Sequence, residues 1–163
     1  MGNSVPKVIF DFDGTLFEYY WGPDYLDKLP TLAPFTNMVE TATMFHLLGT
    51  DVYVCSAVNS EAEAEMKRRM IKEVLPFITP AHCLFPYDGA RKARMFDNIG
   101  RADALVDDFT KNLMAWPGLG VKFYNGVNGT KGTWRARNGF AVNHKMSPEA
   151  VVRAIVERQK FLT

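Results

Sequence analysis

The sequence predicts an α/β fold, a doubly wound parallel sheet with helices on both faces, and three observations predict it. Short apolar runs recur at residues 8–10, 51–56, 82–85, 102–106 and 121–124, each the length of a buried strand and too short for a helix. Stretches with helical spacing separate them, which leaves room for the crossovers that parallel pairing requires. Three of the runs lead into Asp11, Ser56 and Asp107, and the C-terminal ends of parallel strands are where such sheets bind ligands.

Size and charge narrow the function classes. At 163 residues the chain suits one domain with a substantial core. A hydrophobic fraction of 47% against 23% charged residues excludes a disordered chain. Net charge is +1 and the pI about 7.8, so no large basic field argues for a nucleic-acid polymer as partner. Cys55 and Cys83 lie 28 residues apart in apolar runs and read as buried free thiols in a reducing compartment rather than a metal pair. No window approaches 18 apolar residues, the N-terminus lacks a charged-then-apolar pattern, and Pro6 occupies the position where a myristoylation motif needs Ser or Thr. A cytoplasmic protein without a membrane partner is expected.

The first strand, Val8-Ile9-Phe10, runs into Asp11-Phe12-Asp13-Gly14-Thr15. Side chains alternate along a strand, so Asp11 and Asp13 project to one side and Phe12 to the other. Two carboxylates about 4 Å apart repel by roughly 4 kcal/mol at an effective dielectric near 20, so the pair needs a proton, a cation or solvent. A bound metal ion resolves the conflict. Gly14 permits a sharp exit from the strand, and Thr15 offers a hydroxyl and an amide to an anion. A plain strand followed by an Asp-Gly turn is the competing reading.

The string DFDGTLF at 11–17 resembles the first motif, DxDGT, of phosphatases in the haloacid dehalogenase-like (HAD) hydrolase superfamily. The resemblance implies that Asp11 is the nucleophile and Asp13 the general acid and base.

A short aromatic excursion follows over 17–36, with Phe17, Tyr19, Tyr20, Trp21 and Tyr25 interrupted by Gly22-Pro23, Pro30 and Pro34. It is too punctuated for one long helix and makes a candidate lid over the strand ends. Its rings either pack beneath a loop or, as Tyr19, Tyr20 and Trp21, stack on a flat substrate group such as a nucleobase. Residues 36–49 then read as a helix with Thr36 or Asn37 as cap, Met38, Val39, Ala42, Phe45 and Leu48 near helical spacing, and Gly49 as stop. His46 lies beside that face with no partner at ligand spacing and reads as structural.

The second strand, 51–56, ends in Ser56, whose hydroxyl is placed to hydrogen-bond a phosphate oxygen. Ser60 with Glu63 fits a capping box that opens a helix over 60–75, with Met66, Met70, Ile71, Val74 and Leu75 inward. Its basic run Lys67-Arg68-Arg69 reads as solvated surface neutralised by the preceding glutamates. Ser56 lies 45 residues after Asp11 and resembles the second motif, whose hydroxyl holds the transferring phosphoryl group. A third strand, 82–85, leads into a helix running to about Asn98. Lys92 on it resembles the third motif, a cation that neutralises nucleophile and phosphate. Arg91 is the competing assignment, and Lys92 is preferred because a compact ammonium suits a point contact.

The fourth strand, 102–106, ends in Asp107-Asp108 and resembles the fourth motif, which completes a magnesium site. Adjacent strand residues face opposite ways, so Asp107 is chosen as metal ligand and Asp108 as the group that orients it. A helix cap at Asp108 is the plainer alternative. A short helix from 112 and a fifth strand over 121–124 follow. Between 125 and 143, Asn138-Gly139 suggests a hairpin turn joining 134–136 to 140–142. The NGVNGTKGT stretch lacks Walker spacing, and Lys131, Arg135 and Arg137 are either exposed turn charges or contacts to a substrate phosphate or sugar. The last helix starts at Ser147-Pro148 and runs to about Leu162, with Val151, Ala154, Ile155, Arg158 and Leu162 as its stripe.

The resemblance spans about 5–125. It implies a Rossmann-like core with a very short cap insertion after the first, central strand, and hydrolysis of a phosphomonoester through an aspartyl-phosphate. It further implies Mg2+ held by Asp11, Asp107 and the backbone carbonyl near Asp13, with Ser56, Thr15 and Lys92 on the phosphate. An acid at position 13 favours phosphatase over dehalogenase. The aromatic excursion and VDDFT resemble small bacterial relatives of 5'(3')-deoxyribonucleotidases, which implies a nucleoside monophosphate substrate. The alternatives are a phosphatase of sugar or other small phosphate esters, and a non-catalytic module binding a phosphate ligand or a protein.

Overall fold

The computed structural model describes residues 5–128 and 132–163; Lys131 and the Met1-Gly2 terminus lie outside them. Six strands form one all-parallel sheet: β1 Val8–Phe10, β2 Val52–Cys55, β3 Cys83–Leu84, β4 Ala104–Asp107, β5 Leu119–Tyr124 and β6 Ala141–Asn143. Their order is β3-β2-β1-β4-β5-β6. The chain winds outward from β1 in one direction, returns, and winds out the other way. The strand order therefore reverses between β1 and β4, and a crevice opens there at the C-terminal ends.

Strand alternation sorts the core into two layers. Val8, Phe10, Val52, Val54, Ala104 and Val106 face α2 (Thr36–Leu47), α3 (Glu61–Val74) and α6 (Pro148–Lys160), through Phe45, Met70, Ile71, Val151 and Ile155. Ile9, Cys55 and Leu105 face the other way. They meet Leu113 of α4 (Thr110–Met114), Trp116, and Ala93 of the 3₁₀ turn Gly89–Met95. Fully buried Phe10 and Phe12 each contribute roughly 1.5–3 kcal/mol of burial.

The excursion after β1 leaves and rejoins the sheet at one place, since Glu18 N donates to Ala33 O and Phe35 N to Leu16 O, at 2.8 Å each. Between these ties lie α1 (Tyr25–Lys28) and the 3₁₀ turn Leu29–Thr31. Phe12 turns away from the crevice and stacks on Phe17, with ring centroids 4.5 Å apart.

Several elements differ from expectation. Residue 35, not Thr36 or Asn37, caps α2, and no side chain completes that cap. Ser60 does accept from Glu63 N at 3.1 Å, but the Glu63 carboxylate accepts from Asn59 N rather than from Ser60 N. The helix expected around Lys92 is the 3₁₀ turn Gly89–Met95, started by Asp88 accepting from Ala90 N. There is no hairpin at 134–142: Thr133–Ala136 forms the short helix α5, and β6 pairs parallel with β5. The Trp134 indole accounts for this, because it lies against Gly120 and Gly139 and donates to Phe140 O at 2.9 Å, which holds a helical turn over the sheet edge. On α6, Arg158 is exposed and Gln159 is buried instead, donating to Ala102 O.

Candidate active site

The site begins with register. Phe10 pairs with Val106, and Asp11 N donates to Val106 O at 2.9 Å. The residues that leave these two neighbouring strands, Asp11 and Asp107, are thereby brought together. Asp108 follows, and one carboxylate oxygen from each of Asp11, Asp107 and Asp108 lies within 4.8 Å of the others, all three residues being buried. Gly14, at φ +74°, carries the chain past them, and a Cβ there would overlap the Asp108 carboxylate. That position accepts only glycine.

Lys92 is the cation of this cluster. Its fully buried Nζ donates to Asp11 Oδ1 at 2.7 Å and to Asp107 Oδ2 at 2.6 Å, whereas Arg91 is exposed. Burial lowers the affinity of the amine for its proton, but Asp107 and Asp11 outweigh burial and hold it charged. Asp107 is further fixed by Phe109 N at 2.8 Å and Asn112 Nδ2 at 3.0 Å. Asp108 accepts from Asn128 Nδ2 through its carboxylate and from Lys122 Nζ through its carbonyl. Asn125 ties the two loops together, since its Nδ2 donates to Gly14 O at 2.8 Å and its Oδ1 accepts from Val127 N and Asn128 N.

Lys92 bonds only two of the three buried acids, and Lys122 reaches the third at its carbonyl rather than its carboxylate. The Asp11 carboxyl is pushed up to about 7, first by burial and then by Asp107, with Lys92 opposing. Asp108 is pushed up to about 8 by burial, then Asp11 and Asp107. A site of oxygen donors that is short of positive charge fits a hard divalent cation of the magnesium type. The Asp108 carboxylate joins that donor set. The Asp13 carboxylate does not, and Asp107 is the acid tied down by Lys92, Phe109 and Asn112.

Asp13 belongs to a second cluster. Its Oδ2 accepts from Lys67 Nζ at 2.6 Å and its Oδ1 from the Tyr25 hydroxyl. Burial and the Asp13 charge raise the Tyr25 phenol above its ordinary range and keep it a donor. Lys67, expected on the solvated face of its helix, is fully buried; its Nζ also meets Glu63 Oε1 at 3.0 Å, Ala57 O at 3.0 Å and Ser56 Oγ at 3.1 Å. The reason is where α3 lies. Glu63, Lys67 and Ile71 share one stripe with Ala64 and Met70, and that stripe faces inward. The spacing was visible in the sequence, but adjacent glutamates offered a local explanation for the charge.

A cavity of about 170 Å³ opens over both clusters, lined by Asp11, Asp13, Lys92 and Asp108 below and by Tyr19, Trp21 and Phe109 toward the mouth. Trp21 is 79% exposed and Phe109 53%, so the rim is aromatic and accessible. Tyr20 is not part of this wall: it donates to Asp24 Oδ1 at 2.7 Å. Ser56 is buried at the foot of the second cluster. Thr15 is also buried, and its Oγ1 has no hydrogen-bond partner among the described residues. Arg135 and Arg137 are exposed and lie outside the cavity lining. Asn112, Asn125 and Asn128 were not singled out by sequence reasoning, because single amides carry no spacing pattern, and Tyr25 was read only as one ring of the aromatic excursion. Cys55 is buried and Cys83 half-buried, both free, with burial pushing the Cys55 thiol up to about 12.

No family model matches the sequence, and no curated protein matches it. Solved structures do share the fold. D,D-heptose 1,7-bisphosphate phosphatase from Burkholderia thailandensis superposes with a TM-score of 0.62 at 14% identity, over 93% of this chain and 98% of that one. The D,D-heptose 1,7-bisphosphate phosphatase from B. bronchiseptica, complexed with magnesium and phosphate, gives 0.65 at 11% identity over 93% and 99%. A HAD family hydrolase from Deinococcus radiodurans R1, with bound phosphate and sodium, gives 0.61 at 16% identity over 98% of each chain. At these identities the likeness is one of fold. Among the described residues no helix is long and apolar enough to cross a membrane.

Proposed function

We propose that this chain is a magnesium-dependent phosphomonoester hydrolase of the haloacid dehalogenase type, acting on a nucleoside monophosphate through a phosphoryl group carried on Asp11. One observation carries the reading: three buried carboxylates lie within 4.8 Å of one another at the reversal point of a parallel sheet, two of them on the Lys92 ammonium. Carboxylates so crowded call for protons or for a cation, and a bound ligand supplies the second. The bound magnesium and phosphate of one fold neighbour and the phosphate of another add support.

The contacts support a role for each residue. Lys92 holds Asp11 Oδ1, which leaves Oδ2 to attack phosphorus and splits one displacement into two easier ones. Asp13 gives a proton to the leaving oxygen and later takes one from water. Lys92 also offsets charge gathering on the phosphoryl oxygens, while the Ser56 hydroxyl, buried against Lys67, lies outside the cavity lining. Magnesium, when bound by Asp11, Asp107 and Asp108, supplies the missing positive charge and polarises the phosphoryl group.

The substrate reading rests on the cavity. Its 170 Å³ over the carboxylates holds a phosphoryl group, and it shares Asp13, Tyr19, Trp21 and Ala57 with an adjoining hollow of about 270 Å³. The rest of a substrate lies at the mouth, against Tyr19, Trp21 and Phe109, and flat aromatic walls suit a base. A sugar phosphate is the second reading, favoured by the two heptose bisphosphate phosphatases that share the fold.

Hydrolysis of a panel of nucleoside monophosphates and sugar phosphates by the full chain, with and without magnesium, tests this. The expected result is magnesium-dependent release of phosphate with kcat/KM at least about tenfold higher for nucleotides. The reverse order assigns a sugar phosphate. Equal sluggishness on all counts against the nucleotide reading, and binding without any hydrolysis makes the chain a non-catalytic phosphate module.

A further inference from the structure

A lysine with no accessible surface is uncommon, because desolvating an ammonium costs several kcal/mol unless oxygens replace the water. Lys67 meets four: Asp13 Oδ2, Glu63 Oε1, Ala57 O and Ser56 Oγ, at 2.6–3.1 Å. Its ammonium also lies 5.2 Å from the Phe12 ring centroid and 5.7 Å from that of Tyr25. Glu63 would pair with it equally well on a solvated helix face, one turn away. The interior position therefore needs another reason, and the other partners supply it, since two of them are groups of the site described above.

We infer that Lys67, assisted by Tyr25, is a positioning residue that clamps the Asp13 carboxylate and ties it to the Ser56 hydroxyl, setting the orientation in which Asp13 exchanges protons. The inference rests on the phosphatase reading. The clamp comes from both sides of the crevice: Lys67 from α3 grips Oδ2, and Tyr25 from the excursion grips Oδ1. Glu63, itself held by Asn59 N at 2.9 Å, fixes the far side of the ammonium. Asp13 keeps 21% of its side-chain surface and lines the cavity, so it is immobilised without being sealed away.

Each half of the reaction uses that orientation. In the first, Asp11 Oδ2 bonds to phosphorus, the ester P–O bond breaks, and the leaving oxygen keeps the electron pair and takes a proton from Asp13. In the second, a water oxygen bonds to phosphorus, the Asp11–phosphorus bond breaks to return the carboxylate, and Asp13 takes the proton that water loses. An aryl phosphate such as 4-nitrophenyl phosphate has a leaving group that departs without a proton. With that substrate a misplaced Asp13 slows only the second half.

The test is rapid-mixing kinetics of the full chain with magnesium and 4-nitrophenyl phosphate. Lys67→Met is expected to lower the steady rate about 100-fold with KM falling in proportion, so that kcat/KM changes by less than about threefold, after a burst of one 4-nitrophenolate per site. A purely structural role lowers burst and steady rate together. Because Lys67→Met leaves Glu63 and Asp13 short of a counter-charge, Lys67→Met/Glu63→Gln repeats the measurement with net charge unchanged. Tyr25→Phe removes one donor and no charge, and is expected to slow the steady rate less, with the same burst. Steady rates within threefold of wild type in all three variants, or slowed rates without a burst, overturn the inference. A wild-type chain that hydrolyses no phosphate ester with magnesium overturns the phosphatase reading, and the inference with it.

Discussion

Two charged clusters meet at the C-terminal edge of the sheet, and they are balanced differently. Around Lys92, Asp11 and Asp107 share one ammonium and the Asp108 carboxylate lies beside them; burial first, and then the neighbouring carboxylates, pushes Asp11 and Asp108 up toward neutral pH. Around Lys67, two carboxylates share one ammonium, a phenol donates to one of them and a backbone amide to the other. Every member of the second cluster is already paired. The contrast teaches how to read buried charge: an ammonium held between two acids marks a support, and three carboxylates crowded within 4.8 Å of one another mark the place where a ligand brings charge of its own.

The contrast breaks most visibly at Asp11. Asp11→Asn removes the attacking oxygen while keeping shape, and magnesium-dependent hydrolysis of 4-nitrophenyl phosphate should fall by about 10⁴-fold or more. Retention of a tenth of the activity would remove the covalent route. Next in size is Lys92→Met, which leaves Asp11, Asp107 and Asp108 buried without their ammonium. Breaking a buried pair in this way costs about 3–5 kcal/mol, readable as a shift in urea unfolding at pH 8 without metal. Added magnesium should recover part of that loss, since a cation takes over the role of the amine. A loss under 1 kcal/mol would mean that the cluster is not short of positive charge.

Acidity sharpens the same point. Asp11 and Asp108 hold their protons to about 7 and about 8 in the folded chain, against an ordinary 3.8. The unfolded chain releases those protons from about pH 4 upward, so between pH 4 and 8 it binds fewer protons than the folded one. Stability of the metal-free protein therefore falls as pH rises through that window. The melting temperature should drop by more than about 10 °C from pH 5 to pH 8, and saturating magnesium should flatten the drop. A metal-free protein that is more stable at pH 8 than at pH 5 contradicts this.

What was legible in the sequence followed from period and position. Strands announce themselves by short apolar runs, and the residues just past them, Asp11 and Asp107, must lie side by side once β1 and β4 are neighbours. Lys92 was read only through its resemblance to a third motif, with Arg91 as the competitor, and the contacts of Lys92 to both ends distinguish the two. Lys67 was not, because Glu63 and Glu65 explain its charge locally, and only the packing of α3 over the end of β1 brings it to Asp13. Asn138-Gly139 misled for a related reason. Turn chemistry is local, whereas a parallel edge strand such as β6 depends on a crossover and on where the Trp134 ring finds room.

The smallest expected effect lies at the rim. Trp21 packs edge-on against Tyr19, with centroids 4.6 Å apart, yet stays 79% exposed, so its removal creates no cavity and costs little stability. Neither charged cluster touches it, which makes it a probe of substrate alone. Stacking on an exposed ring is worth about 1–3 kcal/mol per base. Trp21→Ala should therefore raise KM for a nucleoside monophosphate by about 5–100-fold while leaving kcat in place. Hydrolysis of glycerol phosphate, which has no ring to stack, should be unchanged in the same variant. Equal losses on both esters would place Trp21 in the fold of the excursion, and an unchanged KM for the nucleotide would favour the sugar-phosphate reading.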